Sequence, residues 1–435
     1  MSNIISISLL LVIGLIFLLM SGMWVGIALA LIGYFGLTFV VGGGMEGMLG
    51  VIQFNTLNSF ELSAIPLFIF LGNVMLYGGM MEKIYQGINP LLSRLPGGLL
   101  HSNIGACAIF GACSGSSIAG AAAIGKSIMP YMKKLGYDKY HIYGSIGGGG
   151  TLASMIPPSI AFILYGSWVG ESVGKLFIAG VLPGLLLAFI FMLYISISTI
   201  LKPSIQPYTE KIPFTKAIIS LINIIPVAAV IFSVLGTIYL GIATPTESAA
   251  LGVSASLIYC LITKKLSFSI LKEILLDTVK TSSMIFFILI GAMAFSMVIS
   301  MLRIPEALSI WVVSLGWGRW SVFLVVVIIY IILGALIDPT SMMLMTIPIT
   351  YPLMMKLGFD SIWFGVCMAV FVQMAVLTPP LGLNLYVLQG ISKEKDLMPI
   401  IRGCTPYFAC TIILIVLLYI FPDIATWLPE LVMGR

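Results

Sequence analysis

Two short polar clusters interrupt long apolar stretches of this chain: Ser114-Gly115-Ser116-Ser117 and Asp338-Pro339-Thr340-Ser341. The first sets three hydroxyls around a glycine that lets the backbone turn sharply. The second sets a carboxylate beside two hydroxyls. Oxygen donors of this kind suit a hard cation such as sodium. A helix that starts at the first cluster also turns its positive N-terminal end toward an anion. Two further segments, GGGGTLASMIPPS (147–159) and AVLTPPLGLN (375–384), are rich in Gly and Pro. Such residues break helices and free backbone carbonyls for the same kind of ion. Plainer readings stand beside these. SGSS also suits a tight turn with a Ser N-cap, and Asp338-Pro339 is an N-cap and first-turn pair. Capping and ion binding are compatible. Asn384 suits a hydrogen bond between helices equally well. Glu247, in Thr244-Pro245-Thr246-Glu247, reads as part of a capping box that starts a helix rather than as a ligand.

The elements that position these clusters must lie in a membrane. The chain has 435 residues, 60% of them hydrophobic and 9% charged, with a mean hydropathy of +1.14. Soluble domains carry about 25% charged residues. The bilayer is therefore the solvent, and the length allows about ten spans of roughly 20 residues. The formal net charge of +5 comes from Lys and Arg scattered through short loops. No basic stripe with aromatics occurs, so no nucleic-acid partner is expected. Six cysteines lie in apolar stretches without a CxxC and read as buried packing residues. His101 and His141 stand outside any metal-binding motif. No HExxH or GxSxG occurs, and neither an enzyme nor an ATP-driven pump is indicated. The N-terminus has no Lys or Arg before its apolar run, so it reads as a permanent span rather than a cleaved signal.

The chain also repeats itself. PYMKKLGYD (130–138) matches PLMMKLGFD (352–360), and Pro157-Pro158 matches Pro379-Pro380, both at an offset of 222 (352 − 130 and 379 − 157). Gly180 and Pro183 match Gly403 and Pro406 at an offset of 223, and Ser63 to Gly72 resembles Ser282 to Gly291 at 219. An ordered series of matches indicates duplication, with halves of about 1–205 and 212–435. In the first half, apolar runs at about 4–20, 24–41, 62–80 and 176–200 predict spans. The pieces 103–113 and 116–131 predict a re-entrant hairpin, and 141–170 a span broken at its middle. The second half repeats the pattern with 218–240, 247–262, 281–300, a hairpin at IDPTS, a span broken at TPPLGLN, and 403–421. Five crossings per half is an odd number, so the two repeats run in inverted orientation. Charge agrees: with 82–101 in the cytoplasm, fifteen Lys and Arg face inside and five face outside, Lys126 lying in a hairpin. Both termini are then periplasmic. Amphipathic segments at 82–97, 267–282 and 305–313 predict interfacial helices that brace the framework.

Backbone groups left unpaired in hydrocarbon cost several kcal/mol each, so mid-membrane breaks are tolerated only around a buried or wet cavity. Paired breaks in two repeats point to a transporter's binding site. The expected fold is an all-α polytopic membrane protein with two inverted repeats, two re-entrant hairpins and two broken transmembrane helices.

The runs FGACSGSSIAGAAAIG (110–125), MIPPSIAFILYG (155–166), GIATPTESAALGV (241–253) and TPPLGLNLYVLQGI (378–391) resemble the large membrane subunit of TRAP transporters, the tripartite ATP-independent periplasmic transporters. The resemblance extends over essentially the whole chain. It implies the ion-transporter superfamily fold and an elevator mechanism in a bacterial inner membrane. Segments 101–172 and 320–391 would form the transport domain, with scaffold at 1–100, 173–319 and 392–435. One sodium site would use Ser114, Gly115 and Ser116 with Gly150, Thr151 and Pro157. A second would use Gly334, Asp338, Thr340 and Ser341 with Thr378, Pro379 and Gly382. Substrate would lie near Ser117, Ser159, Asp338 and Asn384. The resemblance further implies a separate four-span small subunit, a periplasmic binding protein, and sodium-driven uptake of an organic anion such as sialic acid or a C4-dicarboxylate. No cofactor is expected beyond the coupling sodium ions. A stand-alone sodium–anion symporter would show the same repeats and breaks without needing partners. A channel is the other rival, but two hairpins entering from opposite faces suit alternating access better.

Overall fold

The computed structural model describes residues 2–42, 46–207 and 213–434. Lys211 and Arg435, two of the charges counted above, lie outside the described residues. Among the described residues every regular element is a helix and no strand occurs. Among the described residues, six helices are long and apolar enough to cross a bilayer alone. A seventh span is reached if Gly47–Leu57 and Glu61–Tyr77, which bend by 59° at their junction, count together.

One group of helices forms a framework. Val25–Phe35 lies along Phe268–Met301, and Ala64–Tyr77 lies along Pro245–Ile262. Small residues permit this closeness: a Cβ on Gly291 would run into the Gly26 carbonyl. Thr244 and Glu247 form the expected capping box. The Thr244 hydroxyl accepts from the Glu247 N–H at 3.3 Å, and the Glu247 carboxylate accepts from the Thr244 N–H at 2.8 Å. The segment 267–282 is not a separate interfacial helix. It runs without interruption into the span behind it, as the 34-residue helix Phe268–Met301. No Gly or Pro stands between 267 and 290 to stop it, and helices propagate once nucleated. The other amphipathic segments are helices at Met80–Leu92 and Ile304–Ser314. Met80–Leu92 buries Met81, Ile84, Tyr85 and Ile88 on one face and exposes Glu82 and Gln86. Two helices were not anticipated, Glu46–Leu57 and Asp423–Met433.

The other group carries the polar clusters. Leu99–Ser114, Ser117–Leu135, Lys139–Thr151, Ile160–Val169 and Val173–Leu201 follow one another in the first half. Arg319–Leu336, Pro339–Lys356, Ser361–Leu377, Leu383–Ser392 and Met398–Ile420 follow in the same order in the second. Asp138 and Asp360 cap corresponding helices, accepting from the N–H of His141 and Trp363 at 3.2 and 2.8 Å. Cis peptide bonds occur at both Pro-Pro pairs. Val173–Leu201 packs on Asp423–Met433 and on the first hairpin and both broken helices, and Met398–Ile420 packs on both broken helices. Met398–Ile420 meets Lys139–Thr151 backbone to backbone, and a Cβ on Gly144 would strike the Gly403 carbonyl. All six cysteines are buried and free.

Candidate transport site

The first cluster is a turn held by backbone geometry. Leu99–Ser114 ends at Gly115, whose φ of +58° lies in the left-handed region that glycine tolerates. A Cβ there would also stand 2.9 Å from the Pro158 carbonyl. Ser116 is extended and caps the next helix, its hydroxyl accepting from the Ala119 N–H at 3.3 Å. Ser114 is buried, and its hydroxyl accepts from the Ser116 N–H at 3.5 Å. The Ser117 and Ser154 hydroxyls are hydrogen-bonded at 2.5 Å. Ser159 is buried and donates to the Ser154 carbonyl at 2.6 Å. Thr151 donates to the Gly148 carbonyl at 2.7 Å. Gly150 lies against the inner arm of the hairpin, where a Cβ would come within 3.0 Å of the Ser117 carbonyl. Pro157 precedes Pro158 through a cis bond. The first tip and the first break are thus folded onto each other.

The second tip is built from side chains. Ile337 and Asp338 are extended, and Asp338 Oδ1 accepts from the Ser341 N–H at 3.0 Å. Pro339 occupies the first helical position, where its missing N–H costs nothing. Gly334 lets the outer arm close on the second broken helix, with a Cβ there only 2.8 Å from the Ala375 Cβ. The Leu381 N–H donates to the Ala335 carbonyl at 3.2 Å, joining tip and break. Thr378 donates to the Met374 carbonyl at 2.7 Å. The Val376 and Thr378 carbonyls converge on Gly382, each 3.0 Å from where its Cβ would be. Pro379 is exposed at the surface of this break. Ser341 is fully buried, and its hydroxyl has no partner. The Thr378 carbonyl is taken by the Gly382 N–H at 2.8 Å, whereas the residue four after Val376 is Pro380, which has no N–H to offer the Val376 carbonyl. A buried, unpartnered hydroxyl and a carbonyl released from helical bonding are ligands that a hard cation accepts.

A cavity of about 290 Å³ joins the two tips. Gly115, Ser116 and Ser117 line it from the first tip, Ser154 from the first break, and Asp338 and Thr340 from the second tip. Val372, Val376 and Leu383 of the second broken helix close one side, and Thr281, Met284 and Ile285 of Phe268–Met301 close another. Asp338 is the one charged side chain among its lining residues. The size is near the low end of small-ligand pockets, about 300–1,000 Å³. Ser159 and Asn384 do not line it. Asn384 bonds across helices, its amide donating to the Gly147 carbonyl at 3.1 Å, while its Oδ1 is buried without a partner.

Three positions were not singled out in the sequence. Ser154 lies inside the first Gly/Pro-rich segment and was hidden by its louder neighbours. Thr281 had no signal, because its helix reads as plain framework. Gln373 had one: it is a lone amide in the run SIWFGVCMAVFVQMAVL, and both of its amide atoms are buried without partners. The run GAAAIGKS (120–127) also has the spacing of a phosphate-binding loop. It lies inside the helix Ser117–Leu135 and forms no loop that could cradle a phosphate. Among the described residues, no three of His, Cys, Asp or Glu gather into a metal site.

Known proteins match this architecture. The family model described as "Tripartite ATP-independent periplasmic transporter, DctM component" matches residues 12–424. The C4-dicarboxylate TRAP transporter large permease protein DctM of Pseudomonas aeruginosa is 33% identical over 383 residues, 88% of this chain and 89% of that protein. The sialic acid TRAP transporter permease protein SiaT of Haemophilus influenzae is 29% identical over 379 residues, 86% of this chain and 61% of that protein. Among solved structures, the Alcanivorax borkumensis YdaH transporter superposes with a TM-score of 0.60 at 13% identity, covering 88% of this chain and 91% of that one. At that identity the likeness speaks for the fold alone. The relatives are named as permeases, in keeping with a multi-pass chain whose polar residues surround a cavity between apolar helices. The chain is a membrane transport protein, not an enzyme, and belongs to the DctM component family of the tripartite ATP-independent periplasmic transporters.

Proposed function

We propose that this chain forms the path by which an organic anion, released from a periplasmic binding protein, enters the cell at the expense of a sodium gradient. The observation that carries this reading is the cavity between the two tips, with Phe268–Met301 of the framework as one wall. A site bounded on one side by a fixed helix and on the others by a second packing group suits alternating access, in which the second group moves. We place Val173–Leu201 and Met398–Ile420 in the moving group, because they pack on it. The framework would sit in the bacterial inner membrane, enlarged by a four-span small subunit, with both termini periplasmic and the two repeats inverted. Sodium would be held by the two tip-and-break pairs described above. At the second, Asp338 and Ser341 would supply side-chain oxygens and Val376 a backbone carbonyl. The substrate class is carboxylates of the kind named for the relatives, a C4-dicarboxylate or sialic acid.

The test is reconstitution of this chain with its small subunit in proteoliposomes, offering labelled succinate and sialic acid. Uptake that requires both a sodium gradient and the binding protein supports the reading. Sodium-driven uptake without the binding protein would replace it with a stand-alone symporter. Flux far above carrier rates would replace it with a channel.

A further inference from the structure

We propose that Lys280 is the residue with which the framework recognises a carboxylate of the transported anion; this rests on the reading above. An anion in the central cavity meets one charged side chain, Asp338, and that charge repels it. A counter-charge has to come from beside the cavity. A second cavity, of about 670 Å³, adjoins the first and is lined by Lys280, Ser283 and Trp24, and again by Asp338 and Met284. Asp338 and Met284 line both, so the two spaces share a wall. Lys280 immediately precedes Thr281, which lines the central cavity, and stands one turn from Met284.

Lys280 is also uncompensated. The ion pairs among the described residues are His141–Asp138 and Lys265–Glu82, and neither involves it. The nearest acid along its helix, Asp277, accepts a hydrogen bond from the Tyr77 hydroxyl at 2.6 Å. Its ammonium thus keeps three donors for a ligand. The plain alternative is a lysine that only marks the cytoplasmic end of a span. Such a residue has no need to line a cavity that also takes in Asp338, as the exposed Lys280 does. The geometry gives the substrate one wall that moves, carrying a carboxylate and hydroxyls, and one that stays, carrying a cation.

The test uses the complex of this chain with its small subunit, with K280Q and K280R beside the wild type. Equilibrium binding of labelled succinate and sialic acid is measured together with sodium-driven uptake. A charge-assisted hydrogen bond accounts for about a 10- to 100-fold change in affinity. K280Q is therefore expected to bind succinate at least about tenfold more weakly, and to lose sodium-driven uptake at subsaturating succinate in proportion. K280R is expected to hold affinity within about threefold. Unchanged affinity in K280Q beside an active wild type overturns this inference alone. A wild-type complex that binds neither anion and takes up neither overturns it together with the transport reading.

Discussion

The first break, Leu152 to Ser159, is buried at every residue, whereas Pro379, Pro380 and Leu381 of the second are exposed. The tips differ in the same sense. The first is neutral, closed by a left-handed glycine pressed on the Pro158 carbonyl. The second is charged and closed by the Asp338 side chain. The arms differ as well. In the second hairpin, the Tyr330 hydroxyl meets those of Thr346 and Thr350 at 2.5 and 3.1 Å. At the offset of 222, the corresponding residues of the first hairpin are Ala108, Ile124 and Ile128, which have no hydroxyls. The two halves share what the backbone requires, the positions of the breaks and the helix caps. Their side chains differ, so that one half holds its shape by close packing and the other by polar groups.

That contrast can be tested by removing each half's device in turn. The largest effect is expected for Asp338→Ala. Its backbone is extended and tolerates alanine, so insertion should stay near wild type, with thermal stability lowered only by the about 1 kcal/mol of a lost cap. Sodium-driven uptake should fall about 100-fold, from loss of a charged ligand and cap. Full uptake by this variant would remove the second tip from the coupling machinery. Next is the double change Ser116→Val and Ser117→Val, expected to lower uptake about tenfold and raise the sodium half-saturation. An unchanged sodium dependence would make these hydroxyls purely structural. Gly115→Ala should act mainly on stability, by about 1–3 kcal/mol, through backbone strain and the crowding at Pro158. Thermal unfolding of the detergent-solubilised complex reads this out, and no loss would mean that the first tip is not held by its turn. The smallest effect belongs to Tyr330→Phe: about 1 kcal/mol of stability, with uptake within about twofold. A larger fall in uptake would mean that the second hairpin's hydroxyls do more than hold its arms.

Much of this architecture could be read from the residues. The breaks were visible because Gly and Pro clusters have no other place in hydrocarbon, and the capping box at Thr244 was visible because its chemistry is local. What escaped was non-local or weakly coded. The amphipathic segment 267–282 reads as a separate interfacial helix, although nothing in it stops the helix from running on. Glu46–Leu57 lacks a strong apolar run, and Asp423–Met433 follows a span that looked terminal. The contacts of Val173–Leu201 and Met398–Ile420 depend on partners more than a hundred residues away, such as Gly144 with Gly403. Within the site, the tips were legible as oxygen-rich turns. The wall formed by Thr281 and Met284 was not, since a residue becomes a lining residue only through what is placed opposite it.

The unbroken run of Phe268–Met301 acts as a graduated ruler laid beside the pathway. Its 34 residues extend about 51 Å at 1.5 Å per residue, well beyond the roughly 30 Å of hydrocarbon. Read from one mark to the next, it offers an ammonium at Lys280, a hydroxyl at Thr281, a thioether at Met284 and aliphatic carbon at Ile285 and Leu289. On the proposed reading, a cargo displaced along it by one or two helical turns would exchange a polar neighbour for a greasy one. Position along a single rigid rod would thereby be converted into solvation energy, and the rod itself need not bend.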